Sequence, residues 1–152
     1  NKSLKQNTVL FLANPVDPRK NFRLVKEAIE LIDDKYITLF NPYPIKHNEF
    51  PKFLNNSSVF VLTSYNEGSP NVIKEAMACN VSIVSTDVGD VKDVIGNTEG
   101  CFITTFDPKD VAEKIKQAIE YGNRTTGRND IQHLESGVIA KKIINLYRKV
   151  IK

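Results

Sequence analysis

Five apolar, β-branched runs recur along this chain, and each is followed by a loop and a helix-patterned segment. They are "TVLFLA" (8–13), "YITLF" (36–40), "SVFVLTS" (58–64), "VSIVST" (81–86) and "GCFITT" (100–105). Continuous apolar runs of this length, without polar alternation, are what strands buried on both faces require. The segments between them carry a different period. In "NFRLVKEAIELIDD" apolar residues fall at 22, 24, 25, 28, 29, 31 and 32, and Asn21 stands where an N-cap would. "DPKDVAEKIKQAIEYG" opens on Asp107, a capping residue, with Pro108 suited to the first helical position. Shorter helical pieces are expected around 49–54 and in "DVKDVIG". Parallel strands need crossover connections, so strict strand–helix alternation predicts a doubly wound parallel α/β sheet of Rossmann-like type. Asn41-Pro42 and Pro44 break the chain after the second strand, and the polar stretch "GNRTTGRND" (122–130) reads as a loop before one or two closing helices. No repeat, low-complexity tract or linker divides the 152 residues, so residues 1–152 are expected to form a single domain.

Composition excludes several classes of function. Hydrophobic residues at 41% and charged residues at 26% describe a globular chain, and no apolar run approaches the roughly 20 residues of a membrane span. The first residues do not form a secretory signal, and the expected location is the cytoplasm. A net charge of +3, with 21 basic and 18 acidic residues mixed along most of the chain, does not call for nucleic acid. Cys79 and Cys101 lie in or beside apolar stretches and behave as small hydrophobes. His47 and His133 are far apart without a metal-ligand spacing, so no metal is expected. His47, in the loop after Pro44 at the ligand edge of the sheet, is expected at the surface, its alternative being contact with a bound ligand, and His133 is expected at the surface or in packing. Basic residues do gather in "AKKIINLYRKVIK", where Lys141, Lys142, Arg148, Lys149 and Lys152 flank Ile143, Ile144, Leu146, Tyr147 and Val150. The pattern suits a helix packed on the core with a solvated basic side; its alternative is a face turned to a membrane or a partner.

Ligands of such sheets sit beyond the carboxyl ends of the strands, which directs attention to residues 14–20, 40–47, 64–70 and 86–90. One of these loops opens the segment "EGSPNVIKEAMAC" (67–79). Ser69-Pro70 reads as an N-cap followed by the residue best suited to the first helical position, so free N–H groups would point into the crevice and form an anion site. Glu67 lies before that helix and Glu75 lies inside it. Carboxylates accept hydroxyl donors well, so the two could grip different parts of one extended ligand carrying diols. Both could equally be ordinary turn and surface residues, Glu75 pairing with Lys74.

The segment "SYNEGSPNVIKEAMACNVSIVSTDVGDVKDVI" resembles the nucleotide-sugar-binding half of retaining glycosyltransferases of the GT-B fold, family four. Their signature is a Glu, seven intervening residues, and a second Glu followed by Ala. The resemblance implies a donor site formed by Asn14, Arg19, Lys20, Glu67, Gly68, Ser69, Pro70, Asn71 and Glu75. In it Glu67 approaches the sugar hydroxyls, Glu75 takes the ribose, and backbone N–H groups near Gly68, Ser69 and Asn71 hold the sugar and its phosphates. Lys20, in the Lys20-Asn21 pair, reaches the diphosphate, and Lys20 and Glu67 are the catalytic pair. It implies a nucleoside-diphosphate sugar as donor, no cofactor, and a glycan or lipid-linked glycan as acceptor. It also implies an N-terminal GT-B half beyond this chain, which would hold the acceptor. Two features depart from the family. Asn14-Pro15 stands where relatives carry Gly-Arg, so Arg19 is the substitute cation at hand. The stretch between "ITLF" and "SVFVL" is short, which leaves the base unread. A dinucleotide fold, a P-loop, a nucleophile elbow and a receiver domain each lack their motif. The alternative from another class is a non-catalytic interaction or regulatory module that retains the fold.

Overall fold

The computed structural model describes residues 6–151. Five strands, β1 (Asn7–Leu10), β2 (Ile37–Phe40), β3 (Val59–Leu62), β4 (Ser82–Thr86) and β5 (Cys101–Thr104), form one parallel sheet in the order β2-β1-β3-β4-β5. The helices are α1 (Phe22–Ile32), α2 (Phe50–Asn56), α3 (Asn71–Ala78), α4 (Val91–Ile95), α5 (Pro108–Tyr121), α6 (Gly127–Asp130) and α7 (Ser136–Val150). This is the doubly wound Rossmann-like α/β domain that the alternation predicts.

The strand runs work because successive side chains enter opposite layers. Val9, Val59 and Val61 pack toward α1 and α5 with Leu24, Val25, Ala28, Val111 and Ile115. Their neighbours Leu10, Phe60 and Leu62 pack toward α2, α3 and α4 with Leu54, Ile73, Met77, Val91 and Ile95. Fully burying a side chain of this size contributes about 1.5–3 kcal/mol, so the two layers hold the sheet from both sides. β2 is an edge strand, with Thr38 and Phe40 exposed.

Local expectations need three corrections. Asn21 occupies the N-cap position of α1, but its backbone is left-handed (φ 51°) and its side chain caps nothing. Asp107, by contrast, caps α5 as expected, accepting from the Lys109 N–H at 2.9 Å with Pro108 as the first helical residue. The 122–130 stretch is not all loop: α6 forms there because Gly127 packs directly against the Met77 backbone. The terminal helix is not packed on the core. α7 buries no residue, and Ile143, Ile144, Leu146, Tyr147 and Val150 are all exposed. The sheet's two faces are already covered by the other helices, and α7 packs instead against the 3-10 turn Gln132–Leu134. Lys152 lies outside the described residues.

Candidate functional site

The sheet order reverses between β1 and β3, where the chain leaves β1 toward one side and β3 toward the other. At the carboxyl ends of these strands lies a cavity of about 270 Å³, lined by Ala13, Asn14, Lys20, Ser64, Glu67, Pro70 and Asn71 over a floor of strand residues such as Phe60 and Leu62. A larger hollow of about 890 Å³ is an open groove bounded by Ile29, Asp33, Tyr36 and Lys116, at the start of β2. Strand carboxyl ends are where α/β sheets place ligands, so the smaller cavity is the candidate site.

Two residues of opposite charge meet in it. Lys20 Nζ donates to Glu67 Oε1 at 2.5 Å, across 47 residues of sequence, and both side chains are largely shielded from solvent. Buried backbone bonds bring them together. Lys20 ends a 3-10 turn (Pro18–Lys20) that starts at Asp17, whose carboxylate accepts the Arg19 N–H. The hydroxyl of Thr63, wholly buried just past β3, donates to the carbonyls of Lys20 (3.1 Å) and Asn21 (3.0 Å). The Tyr65 N–H donates to the Arg19 carbonyl at 2.9 Å. Thr86, also buried, donates from Oγ1 to the Ser64 carbonyl at 2.8 Å. Three strand ends are thereby tied into one rim.

The turn carrying Glu67 is held from beneath. Gly89 (φ +57°) lies so close that a Cβ there would come within 1.9 Å of the Gly68 oxygen. The next N–H, that of Asp90, donates to the same oxygen at 3.1 Å. Ser69 Oγ donates to Asp90 Oδ2 at 2.5 Å, and Lys74 Nζ donates to Ser69 Oγ. Ser69 is therefore not the N-cap of α3. Its hydroxyl is taken by Asp90, Pro70 occupies the cap position with extended backbone (ψ 112°), and the helix begins at Asn71. No side chain caps the first turn of α3, so its amino end and the partial positive charge there face the cavity beside Pro70 and Asn71.

The remaining expected residues lie around this centre. The Asn14 carboxamide oxygen accepts the Val16 N–H at 3.1 Å, and Asn14 still lines the cavity. Arg19 turns away, its exposed guanidinium bound to Asp17 through two bonds of 3.1 and 2.8 Å. That pairing holds the Asp17 carboxyl below the usual carboxylate range. Gly68 and Ser69 form the outer turn, while Glu75 lies one turn along α3 from the cavity wall. Glu75 does not pair with Lys74. His47 Nε2 meets its Oε1 at 2.5 Å, and its Oε2 is buried without a partner among the described residues. Sequence reading missed Thr63, the bond from Lys74 to Ser69 and the contact made by His47. A polar residue ending an otherwise apolar run is the only local trace of Thr63. Among the described residues no three His, Cys, Asp or Glu side chains converge in a way that could hold a metal ion.

A five-stranded parallel sheet with helices on both faces and a lysine–glutamate pair at its switch crevice defines a Rossmann-like α/β domain. Residues 2–130 match the family Glycosyl transferases group 1, and the chain belongs to that family. Among curated proteins it is 32% identical over 111 residues to an N,N'-diacetylbacillosaminyl-diphospho-undecaprenol alpha-1,3-N-acetylgalactosaminyltransferase of Campylobacter jejuni, covering 69% of this chain and 30% of that protein. It is 34% identical over 116 residues to the capsular polysaccharide biosynthesis glycosyltransferase CapM of Staphylococcus aureus, covering 71% of this chain and 30% of CapM. The chain thus spans about 30% of the length of these relatives. In fold it matches a sucrose-phosphate synthase from Thermosynechococcus elongatus (TM-score 0.78, 20% identity, 98% of this chain and 46% of that one). It also matches HepE from Anabaena (TM-score 0.77, 16% identity, 96% and 49%). The fold is of the GT-B glycosyltransferase type.

Proposed function

We propose that this chain is the donor-binding half of a retaining, family-four glycosyltransferase, placed C-terminally in a two-domain enzyme. That enzyme would transfer a sugar from a nucleoside-diphosphate sugar to a glycan or lipid-linked glycan. The observation that carries the proposal is the Lys20–Glu67 pair, enclosed at the switch crevice in front of an uncapped helix end. A diphosphate entering the crevice meets the ammonium of Lys20 and the N–H groups of the first turn of α3. It draws the lysine away from Glu67 and frees that carboxylate to accept hydroxyl protons from the sugar. As the glycosidic bond breaks, negative charge grows on the departing diphosphate, and Lys20 stabilises it. The acceptor hydroxyl attacks from the face the diphosphate leaves and passes its proton to a phosphate oxygen, so the chain needs no nucleophile of its own. The acceptor lies on the missing half. The coverage of about 30% of the curated relatives supports such a half, and the name of the Campylobacter relative supports a lipid-linked acceptor.

The test is a thermal-shift panel of UDP-, GDP- and ADP-sugars. A ligand at 100 times its Kd stabilises the fold by about 2.7 kcal/mol, which at about 2–4 °C per kcal/mol for a chain of this size is a rise of roughly 5–11 °C. Lys20→Ala is expected to weaken a nucleoside diphosphate far more than the nucleoside. No shift with any of these ligands would favour a non-catalytic interaction module.

A further inference from the structure

We propose that His47 is a positioning residue for the nucleotide's ribose: it fixes one oxygen of Glu75 so that the other is presented to the sugar's hydroxyls. The inference rests on the reading of the crevice as a nucleotide-sugar site and adds a residue from a different part of the chain.

Glu75 is unusual in how its two oxygens are used. Oε1 lies 2.5 Å from His47 Nε2, whereas Oε2 is buried and has no partner among the described residues. A carboxylate can only accept here, so Nε2 carries the proton and donates it. An acceptor left without a donor costs free energy that a ligand hydroxyl recovers once the atoms covering it move aside to admit the ribose. Glu75 lies about one turn along α3 from Asn71, which lines the crevice, so a ligand with its diphosphate at Lys20 would reach it by extending along α3.

His47 is held independently of the ligand. It opens the short 3-10 turn His47–Glu49, whose Glu49 carboxylate accepts the Lys46 N–H at 3.2 Å. Its ring meets Phe50 edge-on, with centroids 4.9 Å apart. The outer face of the imidazole is open to solvent, its side chain 73% exposed, so it supports no core packing that its removal would disrupt. Without the histidine, Glu75 is free to rotate between rotamers, and Oε2 is no longer held toward the ribose.

The test uses the 152-residue chain, UDP, GDP and ADP, their 2′-deoxy analogues, and inorganic pyrophosphate, by isothermal titration. The wild-type chain should prefer the ribonucleotide over the deoxynucleotide by roughly tenfold or more, as a hydrogen bond to a charged acceptor implies. His47→Ala should reduce that preference to within about threefold while leaving pyrophosphate affinity unchanged; the tenfold and threefold limits both follow from the worth of that one bond. His47→Gln, whose amide can still donate to Glu75, should restore most of the preference. A mere packing role would lower affinity for ribo- and deoxynucleotide alike and leave their ratio intact. A wild-type preference that survives in His47→Ala overturns the proposal. A wild-type chain that binds nucleotides without favouring ribose removes the ribose role of Glu75 and this inference with it. A chain that binds no nucleotide overturns the reading of the whole crevice.

Discussion

Gly89→Ala tests whether the Glu67 turn is positioned from below. The added Cβ would lie 1.9 Å from the Gly68 oxygen and 2.8 Å from the Glu67 oxygen, backbone atoms that cannot rotate away. Restoring even a 3.0 Å contact moves the turn by roughly 1 Å, and a shift of that size costs on the order of 100-fold in a preorganised site. Stability falls as well. The left-handed backbone at position 89 (φ +57°) costs about 1–2 kcal/mol once a Cβ is present. The Asp90 N–H to Gly68 bond, 3.1 Å long, contributes about 1 kcal/mol that the shift removes. The sum, about 2–3 kcal/mol, corresponds to a Tm lowered by roughly 4–12 °C. Gly68→Ala is the control. It has nothing within 4 Å of its Cβ, so its stability should stay within about 0.5 kcal/mol of wild type. Urea denaturation and titration with the nucleotide sugar that binds wild type provide both readouts. A Gly89→Ala protein that unfolds within about 0.5 kcal/mol of wild type and keeps its affinity would refute the idea that this glycine positions the turn.

Three further outcomes follow from other parts of the fold. The Thr105 N–H and the hydroxyls of Thr105 and Thr104 hold the Asp110 carboxyl below its ordinary range. Its stabilising effect is therefore complete above the unfolded-state value, near pH 4, and fades as pH falls through the lower folded value. Asp110→Asn should flatten acid denaturation in that window, and an unchanged profile would show that the carboxylate is not linked to folding. Burial pushes the Cys101 thiol up to about 11 and raises that of Cys79 as well. At pH 8 a thiol reagent should label the native chain far more slowly than the unfolded one, where both cysteines react at once; equal rates would contradict the burial. Removing residues 136–152 should lower stability by no more than about 2 kcal/mol, because only Val138 and Ile139 in α7 are even partly buried. The same truncation should reduce binding of a hydrophobic dye, and a collapse of the fold would show that α7 is integral to it.

What could be read without coordinates was everything that depends on near neighbours in sequence. Runs such as "SVFVLTS" declare strands because β-branched residues repeat with no polar break, and "DPKDVAEKIKQAIEYG" declares a capped helix because its apolar period is helical. The strand and helix order, the sheet class and the loops at the strand ends follow from those local signals. Element ends were less legible. The run 8–13 forms a strand only over Asn7–Leu10: beyond it the Phe11 N–H still donates to the Phe40 carbonyl at 3.0 Å, but β2 ends there and the ladder goes no further. Ser69-Pro70 looks like a helix start, yet Asp90, 21 residues on, claims the serine hydroxyl and moves the cap to Pro70.

The site itself was half legible. Glu67, Glu75 and Lys20 stand out by spacing and by resemblance, but nothing near them in sequence says that Lys20 grips Glu67 across 47 residues or that His47 holds Glu75 across 28. Those pairings depend on how the sheet brings strand ends together, and each is a contact between loops whose own residue patterns are permissive. Likewise the terminal "AKKIINLYRKVIK" declares an amphipathic helix, but whether its apolar side is covered depends on what surface the rest of the chain leaves bare. Periodicity is a property of one segment and is written in its residues, whereas which polar atoms meet, and which apolar faces stay open, is decided only when all segments share one sheet.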